Sequence, residues 1–456
     1  MTIASADLHL STLIEGTVAV ASDPDYARAT PWNTAVEVAP QAVVFVRSAA
    51  DIATTVRYAA AVGATVAVAA TGHGALPVGP DAILVHTGDM TDVHVDAVAR
   101  TARVGAGATW QHVLDAATPH GLAPLCGSAP SVGVVGFLTG GGIGPLVRTF
   151  GPSSDHVRAF ELVTGDGEIL TVTPETHGDL FWGLRGGKAT LGIVVSVEID
   201  LPELPGFYGG AVYFDGAQAA DVLHAWARWC PGLPESVSTS IALLQLPDAP
   251  EIPAPLAGRF VVAVRYAAVG DRGQALDLLT PMRAVAPALM DAVAELPYAA
   301  IGAVHMDPPH PMPVYEDHTL LSSLPAEAVD ALLALAGPGV GSAQAMVELR
   351  HLGGAFARWP RQRSAFCPRD AAFALTTIGA PVPELAVPVR QHAAAVMAAL
   401  EPWSTGRQLP NFAPAADPGR LARCYDDDTL YQLAALAERY DPKGVLRVAQ
   451  VARYPF

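Results

Sequence analysis

Val66-Ala67-Val68-Ala69-Ala70-Thr71-Gly72-His73-Gly74 begins, and Gly127-Ser128-Ala129-Pro130-Ser131-Val132-Gly133-Val134-Val135-Gly136-Phe137-Leu138-Thr139-Gly140-Gly141-Gly142-Ile143-Gly144 ends, the stretch on which the reading of this chain turns. The first piece is an apolar strand that delivers a tight loop, with a histidine between two glycines. The second is a run thick with glycine. Glycine leaves main-chain N–H groups open to close approach, so two such loops suit a phosphate-bearing ligand.

Working outward, Val43 to Val46 reads as a strand and Ser48 as the N-cap of a helix from Ile52 to Val62, with Gly63 as its stop. Ala82 to His86 is a further strand, and residues 8–30 read as a short helix and a turn. This order describes a small α/β lobe. Gly105-Ala106-Gly107 follows a strand, but Trp110 stands where the third glycine of G-x-G-x-x-G belongs, and no acidic residue answers it about 20 positions on. The dinucleotide-fold reading is therefore rejected. Ala159 to Val172 reads as a hairpin around Gly165-Asp166-Gly167, and Leu191 to Ile199 as a strand.

At Pro202-Glu203-Leu204-Pro205-Gly206 the texture changes, and a boundary is placed there. Strands at Gly210–Phe214, Ser238–Leu244, Phe260–Tyr266 and Ala345–His351 then alternate with helices at Ala217–Cys230, Ala275–Val285, Ala326–Ala336 and Val387–Leu400. An antiparallel sheet with helices over one face is expected. A helix ending at Tyr440 is stopped by Asp441-Pro442, with a final strand after it.

At 456 residues two domains are the prior. A hydrophobic content of 51% with 16% charged residues describes a folded globular chain. The formal net charge of −17 excludes nucleic acid and anionic membrane as expected partners. Lysine occurs only at Lys188 and Lys443, a bias that points to a GC-rich bacterial source. Cys126, Cys230, Cys367 and Cys424 are scattered without a C-x-x-C pair, so no metal site and no disulfide framework is expected. The N-terminal residues lack a basic and then apolar signal pattern, and no run of about 20 apolar residues appears, so the cytoplasm is the expected location.

The residues resemble the FAD-linked oxidases with a PCMH-type (vanillyl-alcohol-oxidase-like) FAD domain, within them the berberine-bridge-enzyme-like group. The matching pieces are the Gly72-His73 loop, Gly105 to Trp110, Val132-Gly133 through Gly144, Phe181-Trp182-Gly183-Leu184-Arg185-Gly186-Gly187, and Tyr440-Asp441-Pro442. They keep the family order over nearly the whole chain, and that order is what makes the set specific. The resemblance implies an α+β fold: a two-lobed PCMH-type FAD-binding domain at 1–205, a substrate domain with an antiparallel sheet covered by helices at 206–404, and a C-terminal return to the FAD domain at 405–456. It implies FAD, held by Ala70, Thr71, Gly72, His73, Gly74, Gly127, Ser128, Val132, Gly133, Gly136, Gly140, Gly141, Gly142, Gly144, Ile193, Asn411 and Gln450. It implies that His73 carries a single covalent link to the flavin. A histidine that merely hydrogen-bonds in a turn is the other reading.

Three departures stand out. The cysteine that gives many relatives a second flavin link is Ala129 here; Cys126 lies three residues early and reads as a small buried hydrophobe. The tyrosines that act in proton abstraction in several relatives are Ile143 and Leu409, and the usual Asn-Gln pair near the end is Ala449-Gln450. A replacement is sought on Val347-Glu348-Leu349-Arg350-His351, where a strand places Glu348 and Arg350 on one face and His351 on the other. Glu348, Arg350 and His351 are the catalytic candidates, with a structural ion pair as the alternative for the first two. His305, His310 and His318 read as surface-loop histidines, Tyr266 and Tyr315 as further candidates, and Arg148 and Asp155 as structural. The function implied is hydride transfer from a C–H bond adjacent to O or N of a small or medium organic substrate, in secondary metabolism, with dioxygen as acceptor and a monomer or homodimer as the unit. A flavin-dependent isomerase or cyclase without net redox is the alternative.

Overall fold

The computed structural model describes residues 10–188, 191–414 and 418–446. Three sheets organise them. In the first, strands Thr17–Ala19, Ala42–Phe45, Ala82–His86 and Thr65–Ala69 lie in that order, parallel except for the antiparallel edge at Thr17–Ala19. Helix Ala49–Val62 makes the crossover; the Ser48 side chain accepts from Asp51 N, and Gly63 ends the helix in the left-handed region. Ile52, Ala53, Val56 and Ala59 seal it onto Val44, Val66 and Val85. Within the expected helix and turn at 8–30, Leu10 is helical and runs into a turn, and strand Thr17–Ala19 and a 3₁₀ turn, Pro24–Ala29, follow it. Pro24 fixes the turn entry, and Thr17-Val18-Ala19 takes the free edge beside Ala42–Phe45.

The second sheet is antiparallel, in the order Val93–Asp96, Thr101–Gly105, Ile193–Asp200, Val157–Val163, Ile169–Val172. Thr101–Gly105 is thus an antiparallel strand. A Cβ at Gly105 would lie 2.4 Å from Met90 O, and one at Gly107 2.1 Å from Thr87 O. That G-x-G serves backbone packing, in keeping with the rejected dinucleotide reading.

The third sheet is antiparallel throughout, in the order Ala288–Asp291, Gly206–Asp215, Phe260–Ala268, Val237–Gln245, Met346–His351, Phe373–Gly379, Tyr315–Leu321, with Ala294–Pro297 also pairing Gly206–Asp215. Helices Ala219–Trp229, Arg272–Arg283, Ala326–Ala336 and Ala386–Leu400 cover one face through Val212, Val264, Ile241, Val347, Leu349 and Leu375. The fold class is as expected. Strands Ala288–Asp291, Ala294–Pro297, Tyr315–Leu321 and Phe373–Gly379 escape the sequence reading, and they include most of one side of the sheet.

Alternation fixes what the uncovered face carries. Register aligns Glu316 with Ile378 and Met346, then His318 with Thr376 and Glu348, then Leu320 with Ala374, Arg350, Ser240 and Arg265. Helix Asp427–Tyr440 returns to the first half of the chain, where Val66 N donates to Val445 O. The rest of the expected final strand, with Ala449 and Gln450, lies outside the described residues.

Candidate functional site

The two glycine-rich segments meet. Thr71 Oγ1 sits 3.4 Å from the position of a Cβ at Gly133, and Ser131 Oγ lies 3.4 Å from His73 Nε2. Gly72 has φ +75°, and a Cβ there would strike Pro31 at 2.6 Å. Only glycine turns the strand end this tightly against residues 31–32. The close approach stacks Trp32 on His73, with ring centroids 4.5 Å apart, and His73 Nδ1 lies 3.0 Å from Thr71 Oγ1. Burial lowers the His73 pKa to about 4, against a smaller opposing pull from Asp307, so the imidazole is neutral at physiological pH. Among the described residues the N–H groups of Thr71, Gly72, His73 and Gly74 donate to no carbonyl, and a Cβ on Gly74 would meet nothing within 4 Å. Four consecutive free donors at a half-buried turn form an anion cradle.

The glycine run is more divided. Gly136 opens onto space bounded by Lys188 Nζ at 4.0 Å, whereas Gly127 and Gly142 are pressed by Phe137, Gly140 by Asn411, Gly141 by Phe366 and Gly144 by Cys126 O. The missing side chains at these five positions make room for the protein itself, so any ligand contact there belongs to main-chain atoms. Ser128 and Pro130 lie against Gly302 of the 3₁₀ helix Tyr298–Val304, and Val132 packs on the apolar core. Asn411 Nδ2 donates to Phe137 O at 2.7 Å, which ties the C-terminal return to the glycine run. Ile193 points into the first lobe's core beside Val66 and Val163. Ala70 stands at the mouth of the cradle, next to Gly133.

Across from these loops stands the uncovered sheet face. Glu348 is 1% exposed; it accepts from Ser240 Oγ at 2.9 Å, from Arg350 Nε at 2.7 Å, and from Arg265 Nη1. Burial pushes this carboxyl up, but Arg350 and Arg265 overcome it and hold it well below the usual carboxylate range. A carboxylate so committed is a weak base, and the Glu348–Arg350 geometry is that of an ion pair. His351 faces the other way, stacked on Phe373 with Nε2 3.2 Å from Arg148 Nη1, and burial lowers its pKa to about 3. The structure thus separates His351 from Glu348 and Arg350. Arg148 donates to Val237 O and Leu233 O, and Asp155 pairs with Arg369 at 2.7 Å, the structural roles read from sequence.

His305 and His318 are not loop-surface residues. His305 is 6% exposed at the end of Tyr298–Val304, and His318 is fully buried in strand Tyr315–Leu321, stacked on Phe412 at 4.8 Å. His310 is exposed. Tyr266 lies on the helix side, its hydroxyl on Ala275 O, and Tyr315 lies under Arg390. Buried Arg265 Nε, His305 Nδ1 and His318 Nε2 have no hydrogen-bond partner among the described residues, while His305 Nε2 lies 3.4 Å from Glu348 Oε1. A cavity of about 20 Å³ separates Gly144 and Pro145 from Ser240, Arg265, His305 and Arg350. A wider concavity along Asp248–Ala257 is formed by one proline-rich loop and holds no group of this site. The segment around Met312 roofs the site: Met312 N donates to Trp32 O, and Val314 N to Asn33 Oδ1. Glu316, Arg265 and Asp307 are the groups that sequence reading passed over. A lone arginine inside the apolar run Phe260–Ala268 was a usable signal, because a buried guanidinium demands a partner.

Ile143 and Leu409 share one apolar cluster with Leu320, Ala374 and Phe366, so no phenol stands at either position. Among the described residues no group of three His, Cys, Asp or Glu side chains is placed to hold a metal. No helix there is long and apolar enough to cross a membrane.

An unpaired donor cradle, a neutral histidine beside it and an orphaned polar wall opposite fit a flavin dinucleotide. The class so defined is a flavoprotein of PCMH architecture. Residues 40–173 match the FAD binding domain family. The FAD-dependent monooxygenase FUP4 of Fusarium proliferatum is 35% identical over 206 residues, 44% of this chain and 37% of the relative. The (R)-6-hydroxynicotine oxidase of Paenarthrobacter nicotinovorans is 28% identical over 243 residues, 53% of this chain and 50% of the relative. The chain thus spans about a third to a half of the length of these curated relatives. The solved 6-hydroxy-D-nicotine oxidase of Arthrobacter nicotinovorans shares the fold at a TM-score of 0.81 and 22% identity, over 96% of this chain and 97% of that one. The BBE-like 1 protein of Physcomitrella patens does so at 0.84 and 20%, over 98% of each. The chain carries the FAD-binding domain and the whole-chain fold of the PCMH-type, berberine-bridge-enzyme-like FAD oxidases, as the motif order implied.

Proposed function

We propose that the protein is an FAD-dependent oxidoreductase that takes a hydride from a C–H bond adjacent to O or N of a small or medium organic substrate, with dioxygen as acceptor, in bacterial secondary metabolism. The observation that carries this reading is the meeting of the Thr71–Gly74 cradle and the Gly127–Gly144 run at a neutral, stacked His73, opposite a polar sheet face. FAD, when bound, supplies the two-electron acceptor. The free amides of Thr71 to Gly74 hold its anionic part, and His73 offers an unprotonated ring nitrogen for a single covalent link. Ala129 offers no second link, and Cys126, buried with its thiol pushed up to about 12, stays inert. Residues 1–205 with 405–456 then form the FAD-binding part and residues 206–404 the substrate part. Relatives named for an amine and a sugar, 6-hydroxynicotine oxidase and chitooligosaccharide oxidase, support a C–H beside N or O.

A second reading, isomerisation or cyclisation without net redox, is favoured by the apolar fill at Ile143 and Leu409. Oxygen consumption with peroxide release separates the two. The first experiment is the visible spectrum before and after acid precipitation. We expect yellow colour to stay with the pellet in the wild type and to move to the supernatant in His73→Ala. Colour in the wild-type supernatant overturns the covalent link, and a folded protein that takes up no FAD overturns the reading as a whole.

A further inference from the structure

We propose that Glu316 is the catalytic base, the carboxylate that takes the O–H or N–H proton of the substrate; this rests on the oxidoreductase reading. Glu316 lies on strand Tyr315–Leu321, two residues from His318 and four from Leu320, so all three occupy the uncovered face with Glu348 and Arg350. The segment Leu409–Ala413 closes over this corner. Phe412 stacks on His318 and lies 5.8 Å beneath the Arg350 guanidinium. Its neighbour Asn411 reaches Gly140 and Phe137 of the glycine run. Glu316 therefore stands where the sheet face meets the C-terminal return, the segment whose Asn411 reaches the glycine run.

Its surroundings differ from those of Glu348. No cationic nitrogen pairs with it within 4 Å among the described residues, whereas Glu348 holds two guanidiniums. The groups that act on it are the Ala413 amide, Arg420 from helix Pro418–Cys424, Arg350 from across the sheet, and its own neighbour Asp317. The cross-strand partner Ile378 is apolar. Glu316 is half-buried, and its desolvation outweighs the amide and both arginines and raises the carboxyl to about 7. A base of that strength suits neutral pH.

The rivals on the same face are poorer. His318 is lowered to about 3 and His305 is also lowered, both chiefly by burial, so neither holds a proton well. The Tyr213 phenol is raised by burial and keeps its proton. Asp307 is half-buried on the roofing segment, and its charge acts on both His73 and Arg350, so it is the rival carboxylate to be tested. The balance is simple. The C–H hydrogen leaves with its electron pair to the flavin, the O–H or N–H proton leaves to Glu316, and a C=O or C=N bond forms. Dioxygen accepts the two electrons and two protons and departs as hydrogen peroxide.

The test uses flavin-loaded protein labelled with ¹³C at the glutamate carboxyl, together with peroxide release from 6-hydroxynicotine, as the amine, and chitobiose, as the alcohol. We expect one glutamate resonance to titrate near pH 7 and to vanish in Glu316→Gln. We expect that variant to keep its flavin absorbance, to lose about 100-fold or more in kcat/KM, and to lose the rise in activity through pH 7. Glu316→Asp restores part of the rate with the rise moved to lower pH, and Asp307→Asn keeps the rise whatever its rate. A Gln variant that keeps rate and pH profile, an Asp307→Asn variant that loses the profile, or the absence of any glutamate titrating above pH 6 overturns the assignment. Wild-type protein that releases no peroxide with either probe counts against the oxidoreductase reading, while the resonance still decides whether a carboxyl stands poised at Glu316.

Discussion

At the scale of the residue, Glu348 and Glu316 occupy one sheet face two strands apart and are opposite cases. Glu348 is enclosed by Ser240, Arg265 and Arg350, and its charge is part of the frame. Removing one partner of a buried pair leaves the others uncompensated, which costs about 3–5 kcal/mol. Glu348→Ala strands two guanidiniums and is predicted to lose about that much in denaturant unfolding followed by circular dichroism. The loss is of stability, so whatever fraction folds keeps a pH–rate profile with its rise near neutrality. A Glu348→Ala protein of unchanged stability, with its neutral rise abolished, reverses the two assignments.

At the scale of the element, the sequence was legible wherever local chemistry settles the backbone. Ser48 and Gly63 bound their helix because cap and stop are made within a few residues. The Thr71-Gly72-His73 loop announces itself because only glycine can turn so close to Pro31. Tyr315–Leu321 was illegible for the opposite reason. Its run Glu316-Asp317-His318 reads as a polar loop, and it is a strand only because Phe373–Gly379 pairs with it and Phe412 lids its inner face. The residues most useful to a site, Glu316 and His318, were hidden with it. The same tertiary logic governs Val147–Phe150, a single helical turn with little intrinsic stability. It is bolted to the sheet by Arg148, which is 5% exposed and donates to Val237 O, Leu233 O and Leu352 O. Arg148→Met keeps the bulk and strands three carbonyls, each worth about 1–3 kcal/mol when buried. We expect a drop of several kcal/mol in unfolding free energy, together with faster hydrogen exchange at the amides of residues 147–150. Unchanged exchange there contradicts the bolt.

At the scale of the whole molecule, burial of neutral histidines sets how the fold responds to acid. His305, His318 and His351 all have pKa values below the ordinary 6.5, the last two at about 3, because the interior disfavours the imidazolium. Below about pH 6.5 the unfolded chain binds a proton at each, while the folded chain refuses it. Stability is therefore lost as pH falls from 6.5 towards the folded values. Glu316 works the other way: raised to about 7 from 4.5, it is protonated in the fold and ionised in the unfolded chain between those values, so it adds stability on acidification. His73 and His86 are lowered by burial as well, and Asp317 is raised beside Glu316, so the depressed histidines outnumber the raised carboxyls and leave a net loss. The formal charge of −17 adds a self-repulsion that relaxes on acidification, and about 0.2 M salt screens it away from the comparison. Under that salt we predict a melting temperature that falls steadily from pH 7 to pH 5 by scanning calorimetry of the flavin-loaded protein. His318→Asn removes one proton from the balance and flattens the slope by up to about 1.4 kcal/mol per pH unit. A melting temperature that holds or rises over this range would mean that the wall behind Phe412 admits water and charge, and a site assembled from buried neutral histidines would then be the wrong picture of this interior.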